Sequence, residues 1–132
     1  MKALDTNVLV RFLVNDNEQQ AKRAYSLFKQ AETNKEELFV PILTTLELIW
    51  VLDSVYDLER QDILDALHEL LLLPILCFEK QSTIRNLVNT APETNLELSD
   101  LLIANSAAAS NCTSTITFDK KASRYELFEL LD

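Results

Sequence analysis

Four acidic residues stand where the chain is predicted to leave a strand or to enter a helix. They are Asp5, Glu47, Asp100 and Asp119. The first and the last each follow a predicted strand, and the other two each lie in the first turn of a predicted helix. In a parallel sheet these features share one edge, where open α/β folds bind ligands. We therefore expect four carboxylates that are far apart in sequence to converge.

Carboxylates that lie close together can take part in only a few kinds of chemistry. Held within about 4 to 6 Å, they repel one another by a few kcal/mol per pair at intermediate dielectric, so they share protons or hold a cation. The chain has one histidine and two cysteines, none adjacent to these acids, so oxygen ligands are expected to select Mg²⁺ or Mn²⁺. Such ions typically serve phosphoryl chemistry, in which they activate a water and neutralise the phosphate.

Each acid also has a purely structural interpretation. Asp5 and Asp119 could cap helices, and Glu47 with Thr44 fits a capping box. Asp100 suits the positive end of a helix, although the residues around it are apolar, so we expect it to face something buried. A shared site explains all four positions at once, whereas capping requires four independent coincidences. We favour the site.

Short apolar runs alternate with helical periods, which predicts one α/β unit with parallel strands. The predicted strands are Ala3–Leu4, Glu37–Val40, Ile75–Phe78, Ser114–Phe118 and a short edge strand within Tyr125–Leu131. The predicted helices are Thr6–Val14, one opened by a capping box of Asp16 and Gln19 and ending at Gln30, Leu46–Tyr56, Glu59–Leu72, Lys80–Thr90 and Leu98–Ser110. The third helix is expected to bury Leu46, Ile49, Trp50 and Leu52, and the last to be buried nearly all round.

Composition sets the class of protein. A chain of 132 residues with 48% apolar and 25% charged residues is typical of one folded domain and excludes a disordered regulator. Glycine is absent, which excludes glycine-loop nucleotide sites and the nucleophile elbow. Asparagines are expected to take over turns and helix ends, with Asn34, Asn95 and Asn111 as the candidates.

Four segments resemble the signatures of PIN-domain ribonucleases, specifically the VapC-type toxins of prokaryotic toxin–antitoxin pairs. They are Leu4–Leu9, Glu47–Leu52, Glu97–Ala104 and Thr117–Lys121. The resemblance covers essentially the whole chain, in order. It implies a single domain over residues 1–132, a three-layer α/β/α fold with a mostly parallel central sheet of four to five strands. It also implies Mg²⁺- or Mn²⁺-dependent hydrolysis of RNA that leaves a 5′-phosphate and a 3′-hydroxyl.

The resemblance assigns the catalytic and metal-binding roles to the same four acids. Glu97 falls where many relatives have a further aspartate and shares a helix face with Asp100, so it would support the metal or orient water; a solvated side chain is the alternative. Asn7 and Thr117 are expected to hydrogen-bond the carboxylates or the attacking water, or else to reflect ordinary turn and strand usage. Asn95 and Asn111 stand where relatives often have glycine.

The net charge of −9 argues against a general polyanion binder. Removing the five acids assigned to the site leaves −9 + 5 = −4 for the rest of the chain. RNA must still find positive charge, and we expect Lys120, Lys121 and Arg124, which follow Asp119, to contact phosphates. Solvated charges near a chain end are the alternative interpretation.

Partners and location follow from the apolar surplus and from the resemblance. Apolar residues exceed what a small sheet needs at Leu9, Phe12, Leu13, Tyr25, Leu27, Phe28 and across 63–73. In the resembled family such helices grip an antitoxin segment, and protomers form two-fold dimers; we expect both here. An early carboxylate and Pro74 interrupt any signal peptide or membrane span, so we expect a cytoplasmic protein.

Other functions fit less well. A receiver domain needs a pair of acids near the first strand, and a haloacid-dehalogenase-like phosphatase needs Asp-x-Asp, whose second position holds Asn7. A catalytically inactive PIN-like module that binds RNA or protein remains an alternative, although all four acids are retained. A housekeeping RNA-processing nuclease would use the same chemistry as a toxin.

Overall fold

The computed structural model describes residues 1–131 and divides into two compact units. The first, Met1–Gln81, contains β1 (Lys2–Ala3), α1 (Thr6–Leu13), α2 (Glu18–Asn34), β2 (Leu38–Val40), α3 (Ile42–Ser54), α4 (Arg60–Leu71) and β3 (Leu76–Phe78). The second begins at Ser82 and contains nearly all of α5 (Gln81–Thr90), then α6 (Leu98–Ala109), β4 (Thr115–Thr117) and β5 (Phe128–Leu130), with 3-10 turns at Ala91–Glu93 and Ala122–Arg124.

A three-stranded parallel sheet organises the first unit. Its order is β1-β2-β3, so the shortest strand lies at an edge and β2 is central. Leu38 and Val40 of β2 are buried and pair with Leu76 and Phe78 of β3, which are buried as well. All three strands run in the same direction, so Asp5 and Glu79 follow strands that end at the same edge.

Helices α1 and α2 pack through small and aromatic residues. The buried face of α2 consists mainly of alanines, Ala21, Ala24 and Ala31, which allow the helices to approach closely. The ring of Phe12 lies 4.8 Å from that of Tyr25 and 4.6 Å from that of Phe28. These contacts account for several of the apolar residues that the sequence holds in surplus.

The cap of α2 lies one residue later than predicted. The side chain of Asn17, not Asp16, accepts a hydrogen bond from the backbone N–H of Gln20 at 3.1 Å. Asp16 instead accepts hydrogen bonds from Arg11 Nη1 at 3.0 Å and from the Tyr56 hydroxyl at 2.7 Å, while Arg11 Nη1 also donates to Tyr56 at 3.0 Å. Asp16 therefore links α1 to the residues that follow α3.

Helix α3 begins four residues before the predicted start, at Ile42. Its buried positions are Thr44, Thr45, Leu48, Ile49 and Leu52. The predicted burial of Ile49 and Leu52 is confirmed, Leu46 is half-buried, and the prediction for Trp50 is wrong because its side chain is 57% exposed. One residue corresponds to about 100° of helix rotation, so Trp50 points well away from the stripe centred on Leu48 and Leu52.

The second unit has a two-stranded parallel sheet of β4 and β5, in which Thr115 pairs with Phe128 and Thr117 with Leu130. Its core includes Ile84, Leu87 and Phe128 together with the buried face of α6, Leu98, Leu101, Leu102 and Ala104. The prediction that α6 is buried nearly all round is wrong, since Ile103 is half-exposed and the helix ends in exposed alanines.

The predicted fold class is confirmed: helices alternate with parallel strands. The five described strands hydrogen-bond as groups of three and two, each within one unit. Among residues 1–131 no helix combines the length and apolar character that crossing a bilayer requires.

Among residues 1–131 of this glycine-free chain, four adopt positive φ: Lys35, Asp57, Lys80 and Asn111. Asn111, with φ of 68°, confirms the prediction that asparagine takes over a turn after α6. Asn34 is the last residue of α2, and the left-handed residue that ends the helix is Lys35. A lysine in this conformation costs roughly 1 to 2 kcal/mol that glycine would avoid.

The network around Asp16 predicts a defined pH dependence of stability. The hydrogen bond from Tyr56, with the nearby charge of Arg11, lowers the pKa of Asp16 below its ordinary value of 3.8. A carboxylate with a lowered folded-state pKa stabilises the fold above its unfolded pKa and loses that effect as pH falls through the folded value. We expect the melting temperature of wild type to exceed that of Asp16→Asn by a constant amount from neutral pH to about pH 5.

Below about pH 4 this difference should shrink, measured by circular dichroism against pH. Asp53→Asn is the control, because Asp53 is an exposed acid on α3 outside the network. A difference between wild type and Asp16→Asn that persists unchanged into strong acid would contradict the assignment.

Candidate functional site

Asp5 is held at the junction between β1 and α1. Its backbone is extended, with φ of −80° and ψ of 158°, and its Oδ1 accepts a hydrogen bond from the N–H of Thr6 at 2.8 Å. The preceding residue, Leu4, is buried and donates its N–H to the carbonyl of Phe39 at 2.8 Å. Asp5 thus acts as the N-cap of α1, while its other carboxylate oxygen, Oδ2, accepts no hydrogen bond within residues 1–131.

Glu47 is not part of a capping box, so that interpretation is wrong. It lies in the second turn of α3, and Thr44 is occupied elsewhere: its hydroxyl donates to the carbonyl of Leu4 at 3.2 Å. This buried hydrogen bond ties the first turn of α3 to the residue immediately before Asp5. Glu47 follows one helical turn after Thr44, and its side chain is exposed. The bond therefore fixes the part of α3 that carries Glu47 to the strand end that carries Asp5.

Glu79, which the sequence did not indicate as a functional residue, also positions α3. Pro41 precedes α3 and offers no side-chain cap, and the N–H of Ile42 donates to Oε1 of Glu79 at 2.8 Å. Glu79 follows β3, and its own N–H donates to the carbonyl of Val40 at 2.9 Å. A residue 37 positions away in sequence thus caps α3, and no local capping pattern in the sequence could reveal it.

Asp100 lies in the first turn of α6 and is half-buried, and the expectation that it faces something buried stays a prediction. Glu97 occupies the N-cap position of α6, but its exposed side chain makes no capping hydrogen bond. The two residues lie three positions apart at the same end of the helix. The structure thus places both carboxylates at the N-terminus of α6, where the helix dipole favours negative charge.

Asp119 organises the turn that follows β4. Its Oδ1 accepts hydrogen bonds from the N–H groups of Lys121 at 2.9 Å and Ala122 at 3.4 Å. Its own N–H donates to the hydroxyl of Thr117 at 3.0 Å. Thr117 therefore contacts the backbone of Asp119 rather than its carboxylate. The helix-capping interpretation of Asp119 is not confirmed, because the 3-10 turn Ala122–Arg124 has Lys121 as its N-cap residue and no side-chain cap hydrogen bond. Within residues 1–131 the Oδ2 of Asp119 accepts no hydrogen bond.

Two of the four acids lie in each compact unit: Asp5 and Glu47 in the first, Asp100 and Asp119 in the second. Within neither unit do three or more His, Cys, Asp or Glu side chains of residues 1–131 form a group that could hold a metal ion. The convergence of all four acids therefore stays a prediction. Asn7 is exposed on the first turn of α1, and Lys120, Lys121 and Arg124 are exposed around the turn that Asp119 organises.

The donor chemistry of these residues suits a hard divalent cation. In the part of the chain that the structure describes, the carboxylates of Glu47 and Asp100 have no hydrogen-bond or ion-pair partner. Asp5 and Asp119 each use only one oxygen, and only for backbone N–H groups. Unpaired oxygen donors of this kind match the preference of Mg²⁺ and Mn²⁺ for carboxylate ligands.

Comparisons with known proteins show the family of this chain. A family model described as "PIN domain" matches residues 2–127. The match covers nearly the whole chain, so the chain belongs to the PIN-domain family. It is also similar to a protein named VapC ribonuclease from Aquifex aeolicus (strain VF5), with 35% identity over 71 residues. That alignment spans 54% of this chain and 52% of the relative, so the chain matches about half the length of this relative.

The cap from Glu79 predicts a specific loss of stability. Glu79→Ala removes the acceptor of the Ile42 N–H, and we expect the free energy of unfolding to fall by about 1 to 2 kcal/mol, measured by urea denaturation. Glu79→Gln keeps an acceptor oxygen and should lose clearly less. If Glu79→Ala unfolds at the same urea concentration as wild type, Glu79 does not support α3.

Proposed function

We propose that this protein is a metal-dependent endoribonuclease that hydrolyses RNA phosphodiester bonds. The observation that carries the proposal is that each of the four signature segments of a PIN-domain chain presents a carboxylate with at least one uncommitted oxygen. Retention of all four acids weighs against a catalytically inactive binding module.

In this proposal Asp5, Glu47, Asp100 and Asp119 together hold Mg²⁺ or Mn²⁺. Bound there, the ion would lower the pKa of a water molecule and neutralise charge on the phosphate. Hydrogen bonds around the individual acids support this proposal. Thr44 and Glu79 fix the helix that carries Glu47, and backbone N–H groups orient the carboxylates of Asp5 and Asp119. Rigid support of this kind is what a metal site needs, since ligand misplacement weakens binding.

Three residues are proposed to assist the acids. Thr117 holds the backbone of Asp119 through its hydroxyl and thereby positions the turn. Glu97 and Asp100 share the N-terminus of α6, and this shared position supports the proposal that Glu97 would orient a water at the metal site. Asn7, two residues after Asp5 in the first turn of α1, is proposed to offer its exposed amide to the same water or to substrate.

The basic cluster after β4 is proposed to contact RNA phosphates. Lys120, Lys121 and Arg124 are exposed and belong to the turn that the Asp119 carboxylate organises. Positive charge beside a metal-binding acid lets a net-acidic protein attract a polyanion locally, because screening limits the reach of distant acids to about a Debye length of 8 Å.

The toxin role and its partners are also proposed. The relative is named VapC ribonuclease, which favours a toxin of a type II toxin–antitoxin system over a housekeeping nuclease. A groove of about 650 Å³ in the first unit is lined by Phe12, Tyr25 and Phe28 and by 73–75. Its aromatic wall is suited to the apolar face of a cognate antitoxin segment. We also propose that the protein forms a homodimer, is located in the cytoplasm and consists of a single functional domain.

Cleavage of defined RNAs tests the activity. Wild type should cleave with Mg²⁺ or Mn²⁺ and not after chelation, and Asp5→Asn or Asp100→Asn should lower the rate by about a hundredfold or more. The products should carry a 5′-phosphate, which end-labelling detects. Asp62→Asn, an exposed acid in the first turn of α4, is the matched control and should cleave normally. Metal-independent cleavage, or full activity in Asp100→Asn, would refute the proposal.

A further inference from the structure

A second groove of about 270 Å³ lies along α1 and α2 in the first unit. We name it the arginine groove; it is lined by Asn7, Val8, Arg11, Gln20, Arg23, Ala24 and Leu27. None of these residues lines the aromatic groove described above. Asn7 lies in the first turn of α1, the helix that Asp5 caps, so one lining residue of the arginine groove belongs to the same strand–helix junction as the first acid of the candidate site.

The charge of the arginine groove is opposite to that of the protein. The chain has 21 acidic and 12 basic residues, yet two arginines and no carboxylate line this groove. Two other grooves of the same unit are both lined in part by Glu36 and Glu37. A carboxylate-free lining in so acidic a chain favours an anionic ligand over a cationic one.

Arg11 is fixed in place at one end of the arginine groove. Its Nε donates to Gln20 at 2.6 Å, and its Nη1 donates to Asp16 and to Tyr56, both at 3.0 Å. These bonds leave the two N–H groups of Nη2 for a ligand. Because the side chain is already ordered, a phosphate bound there would cost little further conformational entropy.

Arg23 supplies the net positive charge of the arginine groove, because Asp16 compensates the charge of Arg11. Its side chain is exposed, and within residues 1–131 it has no ion-pair or hydrogen-bond partner. Val8, Ala24 and Leu27 also line the groove and add apolar surface to it. The groove therefore combines donors for a phosphate with apolar surface for contact with a sugar or base.

The size of the groove suits part of a polymer. Pockets for whole small ligands occupy about 300 to 1,000 Å³, and this groove falls just below that range. We propose that the arginine groove binds one nucleotide and its phosphate in the RNA strand on the Asp5 side of the candidate site. The proposal rests on the proposed ribonuclease function and adds a path for the substrate. An acidic peptide is the competing occupant and forms one arm of the test.

The test compares Arg23→Ala with Lys22→Ala. Lys22 is its neighbour on α2, equally exposed and not part of the groove, so both changes remove one positive charge from the same helix. Both are made in the Asp100→Asn background with Mg²⁺, so that the RNA stays intact. Fluorescence anisotropy then gives the Kd of a short single-stranded RNA of mixed sequence over a range of salt concentrations.

We expect Arg23→Ala to raise the Kd about five- to tenfold and to flatten the slope of log K against log salt by about 0.7, the loss of one phosphate contact. Lys22→Ala should change neither value appreciably. Equal effects of the two variants, or no RNA binding by the parent, would overturn the proposal. So would an Arg23→Ala variant that binds RNA normally and loses affinity only for a glutamate-rich peptide.

Failure of the proposed function gives a different result. If otherwise wild-type protein cleaves no RNA but Arg23→Ala still weakens RNA binding selectively, the arginine groove stands and the nuclease proposal falls. If the protein cleaves RNA and Arg23→Ala behaves like Lys22→Ala in binding and in kcat/KM, only the arginine groove is refuted.

Discussion

The candidate site depends on hydrogen bonds between residues that are far apart in sequence. These bonds lie at the carboxyl edge of the three-stranded sheet. The hydroxyl of Thr44 reaches the carbonyl of Leu4, and the carboxylate of Glu79 reaches the N–H of Ile42. Each bond satisfies a backbone group at a junction where the regular sheet or helix pattern leaves it unpaired. Together they fix the start of α3 beside the end of β1, and so determine where Asp5 and Glu47 emerge.

The distribution of charge, more than its sum, reconciles an acidic protein with an RNA substrate. The proposed metal ligands are carboxylates without basic partners, so a divalent cation is their natural counter-charge. Five of the twelve basic residues form two local groups, three around the turn after β4 and two in the arginine groove. Screening in physiological salt lets such groups act independently of the net charge of −9.

Local patterns in the sequence predicted the helices and strands well. They predicted poorly the hydrogen bonds between distant residues that hold these elements in place. The spacing of apolar residues in the sequence predicted the approximate position of each of the five strands and six α-helices that the structure describes. Asn111 adopts the left-handed conformation expected of a turn residue. The capping box at Thr44 was wrong because a carbonyl 40 positions away is its partner. The cap from Glu79 and the left-handed Lys35 left no local signal at all. Both depend on tertiary contacts or tolerated strain, which periodicity does not encode.

The candidate site, like the fold, was predicted only in part from the sequence. The sequence predicted the capping role of Asp5, which the structure confirms, whereas the convergence of the four acids stays a prediction. It did not reveal that Thr117 holds a backbone N–H, because a threonine in a strand has many possible partners. Nor did it single out the arginine groove, whose residues come from separate turns of two helices and gather only through their packing.

Titration calorimetry of Mn²⁺ binding tests most directly whether acids from both compact units share one ion. Wild type should bind Mn²⁺, and Asp5→Asn and Asp119→Asn should each weaken that binding about tenfold or more, although the two residues belong to different units. Asp62→Asn should bind as wild type does. If Asp5→Asn and Asp119→Asn both retain wild-type affinity for Mn²⁺, the acids do not form a common metal site and the account is wrong.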